Sequence, residues 1–267
     1  MATLLPAVLI GFGFAVLLRL LIGRAPLFVR LIPIQVLSIV LIGLEIEKQR
    51  ASLAAGYDLF HLPFHYCSLM LLFFPLAAFS FGKIGEVLRS VALAIAGTVT
   101  VITLIAPETI FPAEHISLFY EHFFSYHTVI FHCLVPVYFF LLLALDLCRI
   151  RVGWDLLFVC VTVIGYSVLA TKMAWHYETN YSNFLYCKIE ALEEKRLLLV
   201  AEHGEEATRL IYARAVGAVH LAASLVGYIA GALQVTLWRL LPLGKSARKP
   251  WKKYTRFPYT SCQKTKK

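Results

Sequence analysis

Apolar positions in this chain run in blocks of about twenty residues separated by short clusters of charge, without the alternation of a half-buried strand. Seven such blocks can be marked, at 4–22, 28–44, 62–81, 87–106, 126–145, 154–171 and 216–240. Each comes close to the roughly 20 residues that a helix needs to cross about 30 Å of hydrocarbon. The pattern predicts an all-α polytopic membrane bundle of about seven transmembrane helices over residues 1–243, followed by a basic tail at 244–267. One connection is long, at about 172–215. Its later part, from Cys187 to Arg214, mixes Leu and Ala with Glu, Lys and Arg, and reads as a charged surface or interfacial helix interrupted at Gly204.

Composition sharpens this picture. With 60% hydrophobic and 15% charged residues, the blocks leave no room for a separate soluble domain. The first block has no basic residues ahead of it and is long enough to remain as a span, so it is not read as a cleaved leader. Arg24, Lys83, Arg89, Arg149, Arg151 and the tail all fall on one side of a seven-span bundle. That side is expected to be cytoplasmic, with the N-terminus outside. The expected location is a bacterial cytoplasmic membrane. The net charge of +9 lies mostly in the tail, where it suits anionic lipid headgroups and not nucleic acid. The six cysteines (67, 133, 148, 160, 187 and 262) show no CxxC pairing, so neither a disulfide framework nor a zinc knuckle is expected.

The unusual polar residues are not scattered. In this topology Glu45 ends the second span, His65 and Cys67 open the third, and His127 and His132 open the fifth. Asn180 and Asn183 follow the sixth, and His220 lies in the outer half of the seventh. Nearly all fall in the outer third of the membrane, and ionisable groups at that depth point to function. On a regular helix, at 100° per residue, His61 and His65 share a face while Cys67 lies about 200° from His65. Unless the helix entrance is unwound near Pro63, His65 is then a poor base for a Cys67 nucleophile, and the base comes from another helix, with His127 and His132 as the two candidates. Other readings compete at each position. A cysteine in a span is commonly a small apolar filler, and a lone intramembrane histidine commonly bonds a neighbouring helix. Asn180 and Asn183 also suit an Asx turn. A metal site built from His61, His65, Cys67, His127 and His132 has the right ligand types for zinc or copper, although the 200° offset opposes a compact one. Transport or lipid binding without chemistry is the other rival, opposed by the off-centre polar groups and the lack of an internal repeat.

The run Leu62-Pro63-Phe64-His65-Tyr66-Cys67-Ser68 resembles the "LPLHLC" signature of the YwaF-type integral membrane family, which includes the animal transmembrane protein 164. Glu45, His127 with Val135-Pro136-Val137-Tyr138, and Asn183-Phe-Leu-Tyr-Cys-Lys188 are similar to further elements of that family, and the resemblance covers roughly 30–190. It implies a lipid acyltransferase that moves a fatty acyl chain between phospholipid and lysophospholipid through a cysteine thioester at the outer-leaflet interface. Cys67 and His127 would be catalytic, and Glu45, His65, His132, Asn180 and Asn183 would bind or orient substrate. No cofactor and no metal is implied. Transfer to water instead of a lipid would make the same site an ester hydrolase.

Overall fold

A computed structural model describes residues 4–240 apart from 106, 108–109, 112 and 149–152. The basic tail expected at 244–267 lies outside the described residues. Among them all regular structure is helical: α1 (Leu4–Ile22), α2 (Leu27–Ala54), α3 (Leu69–Phe79), α4 (Gly82–Ile105), α5 (Ala113–Ser117), α6 (Phe123–Ala144), α7 (Trp154–Tyr177), α8 (Glu190–His203) and α9 (Glu205–Leu240). Six of these, α1, α2, α4, α6, α7 and α9, are long and apolar enough to cross a membrane. The chain is an integral membrane protein of the all-α bundle type.

The third expected span departs from its reading. It is a short helix: a 3₁₀ turn at Tyr66–Ser68 continues into α3, and Tyr66–Phe79 together would rise only about 21 Å. Leu62, Pro63, Phe64 and His65 lie ahead of it in non-helical backbone, so the facing assigned to His61, His65 and Cys67 on one regular helix does not apply. The long connection is also shorter than its sequence suggests. α7 continues to Tyr177, and α9 begins at Glu205, immediately after the break at Gly204 (φ 81°).

Burial sorts the helices. Every residue of α4 from Ser90 to Thr100 is buried, as is α6 from Tyr138 to Ala144. The outward faces of α1, α2, α7 and α9 carry exposed Ile10, Leu21, Ile39, Val161, Ile164 and Val219, as lipid-facing surfaces should. Without a hydrophobic drive between helices in lipid, close packing of small residues holds the centre together. Gly97 on α4 and Gly227 on α9 meet backbone to backbone: a Cβ at Gly227 would lie 2.4 Å from Thr98 N and 2.6 Å from Ala94 O. There Thr98 Oγ1 donates across to Ala223 O at 3.0 Å.

At one end of the bundle, cations close the carbonyl terminus of α6. Arg19 on α1 donates to Ala144 O, and Arg30 on α2 donates to Leu145 O at 2.7 Å. Arg89 on α4, 1% exposed, donates to Leu147 O, Ala77 O and Ser80 O at 2.9, 3.2 and 3.0 Å. The candidate site lies at the opposite end.

Candidate functional site

The site is built by a loop folded back along the last turns of α2. Gly56 and Tyr57 turn the chain with φ of 94° and 48°. Asp58 Oδ1 then accepts from Phe60 N and starts the 3₁₀ turn Leu59–His61. Gln49 on α2 ties the loop down: its Nε2 donates to His61 O at 2.7 Å, and its Oε1 accepts from the Tyr57 hydroxyl at 2.7 Å. Ser52 Oγ lies 2.7 Å from His61 Nδ1, and the His61 ring stacks on Phe124 of α6 with centroids 4.3 Å apart. Held this way, the chain stays unwound through Pro63 and His65 and turns helical only at Tyr66.

A second loop, after α7, grips the first. Ser182, in the left-handed region at φ 47°, accepts from Tyr66 N at 2.6 Å. The Tyr166 hydroxyl reaches both Ser182 Oγ at 2.7 Å and Phe64 O at 3.1 Å, and the Tyr181 hydroxyl donates to Leu59 O at 2.6 Å. Asn180 shapes this loop from inside, donating to Tyr186 O at 3.0 Å and accepting from Leu185 N at 3.1 Å. Its side chain is thus spent on the turn. Asn183 occupies a left-handed position at φ 67° in the same turn.

At the centre is a buried acid–imidazole pair. Glu45 Oε2 on α2 lies 3.5 Å from His127 Nε2 on α6, with side chains 13% and 7% exposed. This is ion-pair range without hydrogen-bond geometry, and Nε2 has no other partner. The other carboxylate oxygen, Oε1, accepts from Gln49 Nε2 and from Lys48 Nζ, each at 2.7 Å. His127 also stacks on Phe131 at 5.4 Å. His132, one turn further along α6, has Nδ1 2.8 Å from Thr128 O. A carbonyl only accepts, so the neutral ring carries its proton on Nδ1 and a lone pair on Nε2.

Cys67 lies in the 3₁₀ turn that opens α3, half-buried, with a free thiol. Burial pushes its thiol up to about 11, with the Glu45 charge adding to the rise and Lys48, its own amide and the Ser68 hydroxyl opposing it. His65 precedes it in extended backbone. Its ring packs edge-on to Phe60 and Tyr181, and Nε2 lies 3.0 Å from Phe60 O. Desolvation holds the His65 pKa down to about 4, against the opposing pull of that carbonyl. His61 is lowered as well, by burial first, with Asp58 opposing. Burial thus favours the neutral form of both rings.

The structure thus gathers Glu45, His65, Cys67, His127 and His132 at one end of the bundle, while Asn180 and Asn183 serve the neighbouring loop. His220 stacks on Tyr66 at 5.3 Å. Among the described residues no three His, Cys, Asp or Glu side chains are placed to hold one metal ion. Lys48, Gln49, Tyr166 and Ser182 escaped the sequence reading. Lys48 and Gln49 follow an apolar run as ordinary flanking polar residues do, and only the neighbouring asparagines point toward Ser182.

No curated protein and no solved structure matches the chain. The sequence model of the TMEM164 family matches residues 1–202, about three quarters of its length, including the loop 55–65, α6 and the 178–188 turn. With that match, the chain belongs to the TMEM164 family.

Proposed function

We propose that this protein moves a fatty acyl chain from a phospholipid to a lysophospholipid through a thioester on Cys67. The observation that carries the reading is the buried Glu45–His127 pair, gathered at the end of the bundle where α3 opens with a free cysteine. His127 takes the Cys67 proton, and the sulfur attacks the lipid ester carbonyl. The tetrahedral intermediate expels the lysophospholipid alkoxide, which regains the proton from His127. A second lysophospholipid hydroxyl then gives its proton to His127 and attacks the thioester, expelling the Cys67 sulfur, which takes that proton back from His127. Glu45 holds the imidazolium that forms in each half-reaction, as a triad carboxylate does. The oxyanion is held at the positive end of the short helix by the Cys67 amide, since Tyr66 N and Ser68 N of the same turn already donate to Ser182 Oγ and His65 O. On this reading the site faces the outer leaflet of a bacterial cytoplasmic membrane, a reading supported by the basic residues gathered at the other end of the bundle. Water as acceptor gives hydrolysis by the same route.

Intact-mass measurement of the purified protein after incubation with mixed phospholipids tests this. Wild type should gain a fatty-acyl mass that neutral hydroxylamine removes. Cys67→Ala should gain none, and Glu45→Gln should acquire it about 100-fold more slowly. A folded wild-type protein that never carries the adduct, or an adduct that persists in Cys67→Ala, overturns the reading.

A further inference from the structure

Helix α2 carries two acid–base pairs at the same i, i+3 spacing, and they differ sharply in setting. Glu47 and Arg50 lie 3.2 Å apart with side chains 51% and 78% exposed, an arrangement of little energetic consequence. Glu45 and Lys48 lie 2.7 Å apart with side chains only 13% and 15% exposed, and both point into the site. Burying a lysine is unfavourable unless it is paired, and the electrostatic reach of a buried charge is long because water screens it weakly.

The geometry makes a demand that this lysine meets. A carboxylate that orients His127 must stay ionised, yet its negative charge disfavours a thiolate at Cys67 nearby. Lys48 and Gln49 occupy Oε1, which turns Oε2 toward His127. The groups facing this pair are His61 and His65 from the loop, Cys67 from the opening turn of α3, and His127 and His132 from α6, with Lys188 reaching His65 from beyond α7. Lys48 acts electrostatically on His61, His65, Cys67 and His132 alike.

We infer that Lys48 is a positioning residue: it clamps Glu45 so that one oxygen faces His127, and it offsets the carboxylate charge where the Cys67 thiolate forms. The purpose of that thiolate rests on the acyl-transfer reading, but the electrostatic role can be measured without it. The test is the rate of Cys67 alkylation by iodoacetamide at pH 8 in the full-length protein, followed by peptide mass spectrometry, with Cys187 as internal reference. Lys48→Met should slow Cys67 at least about fivefold, within the range that loss of a nearby opposite charge produces. Lys48→Arg should return it to within about twofold of wild type, and Arg50→Met should leave it unchanged. Cys187 should not respond in any variant.

A Lys48→Met rate within twofold of wild type, a parallel change at Cys187, or failure of Lys48→Arg to restore the rate overturns the inference. If Lys48→Met does not fold, the double variant Glu45→Gln/Lys48→Met decides. With both charges gone, a Cys67 rate at or above wild type supports the role, and a fivefold lower rate refutes it. Slowed alkylation in Lys48→Met with no acyl adduct on wild type leaves this role standing and removes the acyl-transfer reading. An adduct on wild type with alkylation unchanged in Lys48→Met does the reverse.

Discussion

Replacing Gly227 with alanine adds one methyl group at the crossing of α4 and α9, and the structure sets what that methyl must displace. Its nearest neighbours would be backbone atoms, Thr98 N at 2.4 Å and Ala94 O at 2.6 Å, which have no rotamer with which to move aside. Reaching an ordinary contact of about 3.4 Å needs the helices to part by about 1 Å, and a gap of that size forfeits a quarter to a half of each dispersion contact it crosses. It also lengthens the 3.0 Å bond from Thr98 Oγ1 to Ala223 O. Overpacking of this kind destabilises by about 3 kcal/mol, a shift of roughly 150-fold in the folding equilibrium. Reversible unfolding in mixed micelles of rising SDS fraction, read by circular dichroism and tryptophan fluorescence, measures it. Gly43→Ala is the control, since a Cβ there meets nothing within 4 Å, and better helix propensity should leave it equal or more stable. If Gly227→Ala unfolds within 1 kcal/mol of Gly43→Ala, the close approach of α4 and α9 does not bear on stability and the packing argument fails.

Two further outcomes follow from other parts of the fold. Arg89→Met removes a buried guanidinium and leaves Leu147 O, Ala77 O and Ser80 O without that donor, so it should destabilise by about 3–5 kcal/mol; the same SDS titration checks this, and a loss below 1 kcal/mol would count against the clasp. Glu193 accepts from Cys187 N at 2.7 Å and from Arg196, and these bonds, Arg196 first, hold its carboxyl below its ordinary 4.5. Their contribution is therefore complete above pH 4.5 and fades as pH falls through the lowered folded value. Hydrogen exchange at the Cys187 amide, corrected for intrinsic rate, should stay constant from pH 7 to 5 and rise at lower pH in wild type, whereas in Glu193→Gln it should already be raised at pH 7.

The bundle was legible in the sequence because bilayer thickness writes itself into the length of apolar runs. Six of the seven marked blocks correspond to helices long enough to span. The third helix starts later than its apolar run for a physical reason: Leu62, Pro63 and Phe64 are apolar, but their backbone is held off the helix by bonds within and on either side of it, from Gln49 to His61 O, from Tyr166 to Phe64 O and from Tyr66 N to Ser182. Hydropathy does not register side-chain bonds to backbone from distant parts of the chain. The same limit hid Lys48, which at the end of an apolar run looks like a charge facing the headgroups. Glu45 and His127 stood out because an ionisable group within a span needs a reason, and the structure supplies one by placing them 3.5 Å apart. Asn180 stood out equally, yet its bonds to Leu185 and Tyr186 make it the frame of a turn.

The arginine clasp has a consequence in time. Arg19, Arg30 and Arg89 all precede α6 in the chain, while the carbonyls of residues 144–147 that they share are made later. A nascent chain that has emerged only as far as α4 carries three guanidinium groups at this end and none of these acceptors. Arg89 can already bond Ala77 O and Ser80 O at that stage, but Arg19 and Arg30 gain these acceptors only when α6 is complete, so for α1 and α2 synthesis order and assembly order diverge.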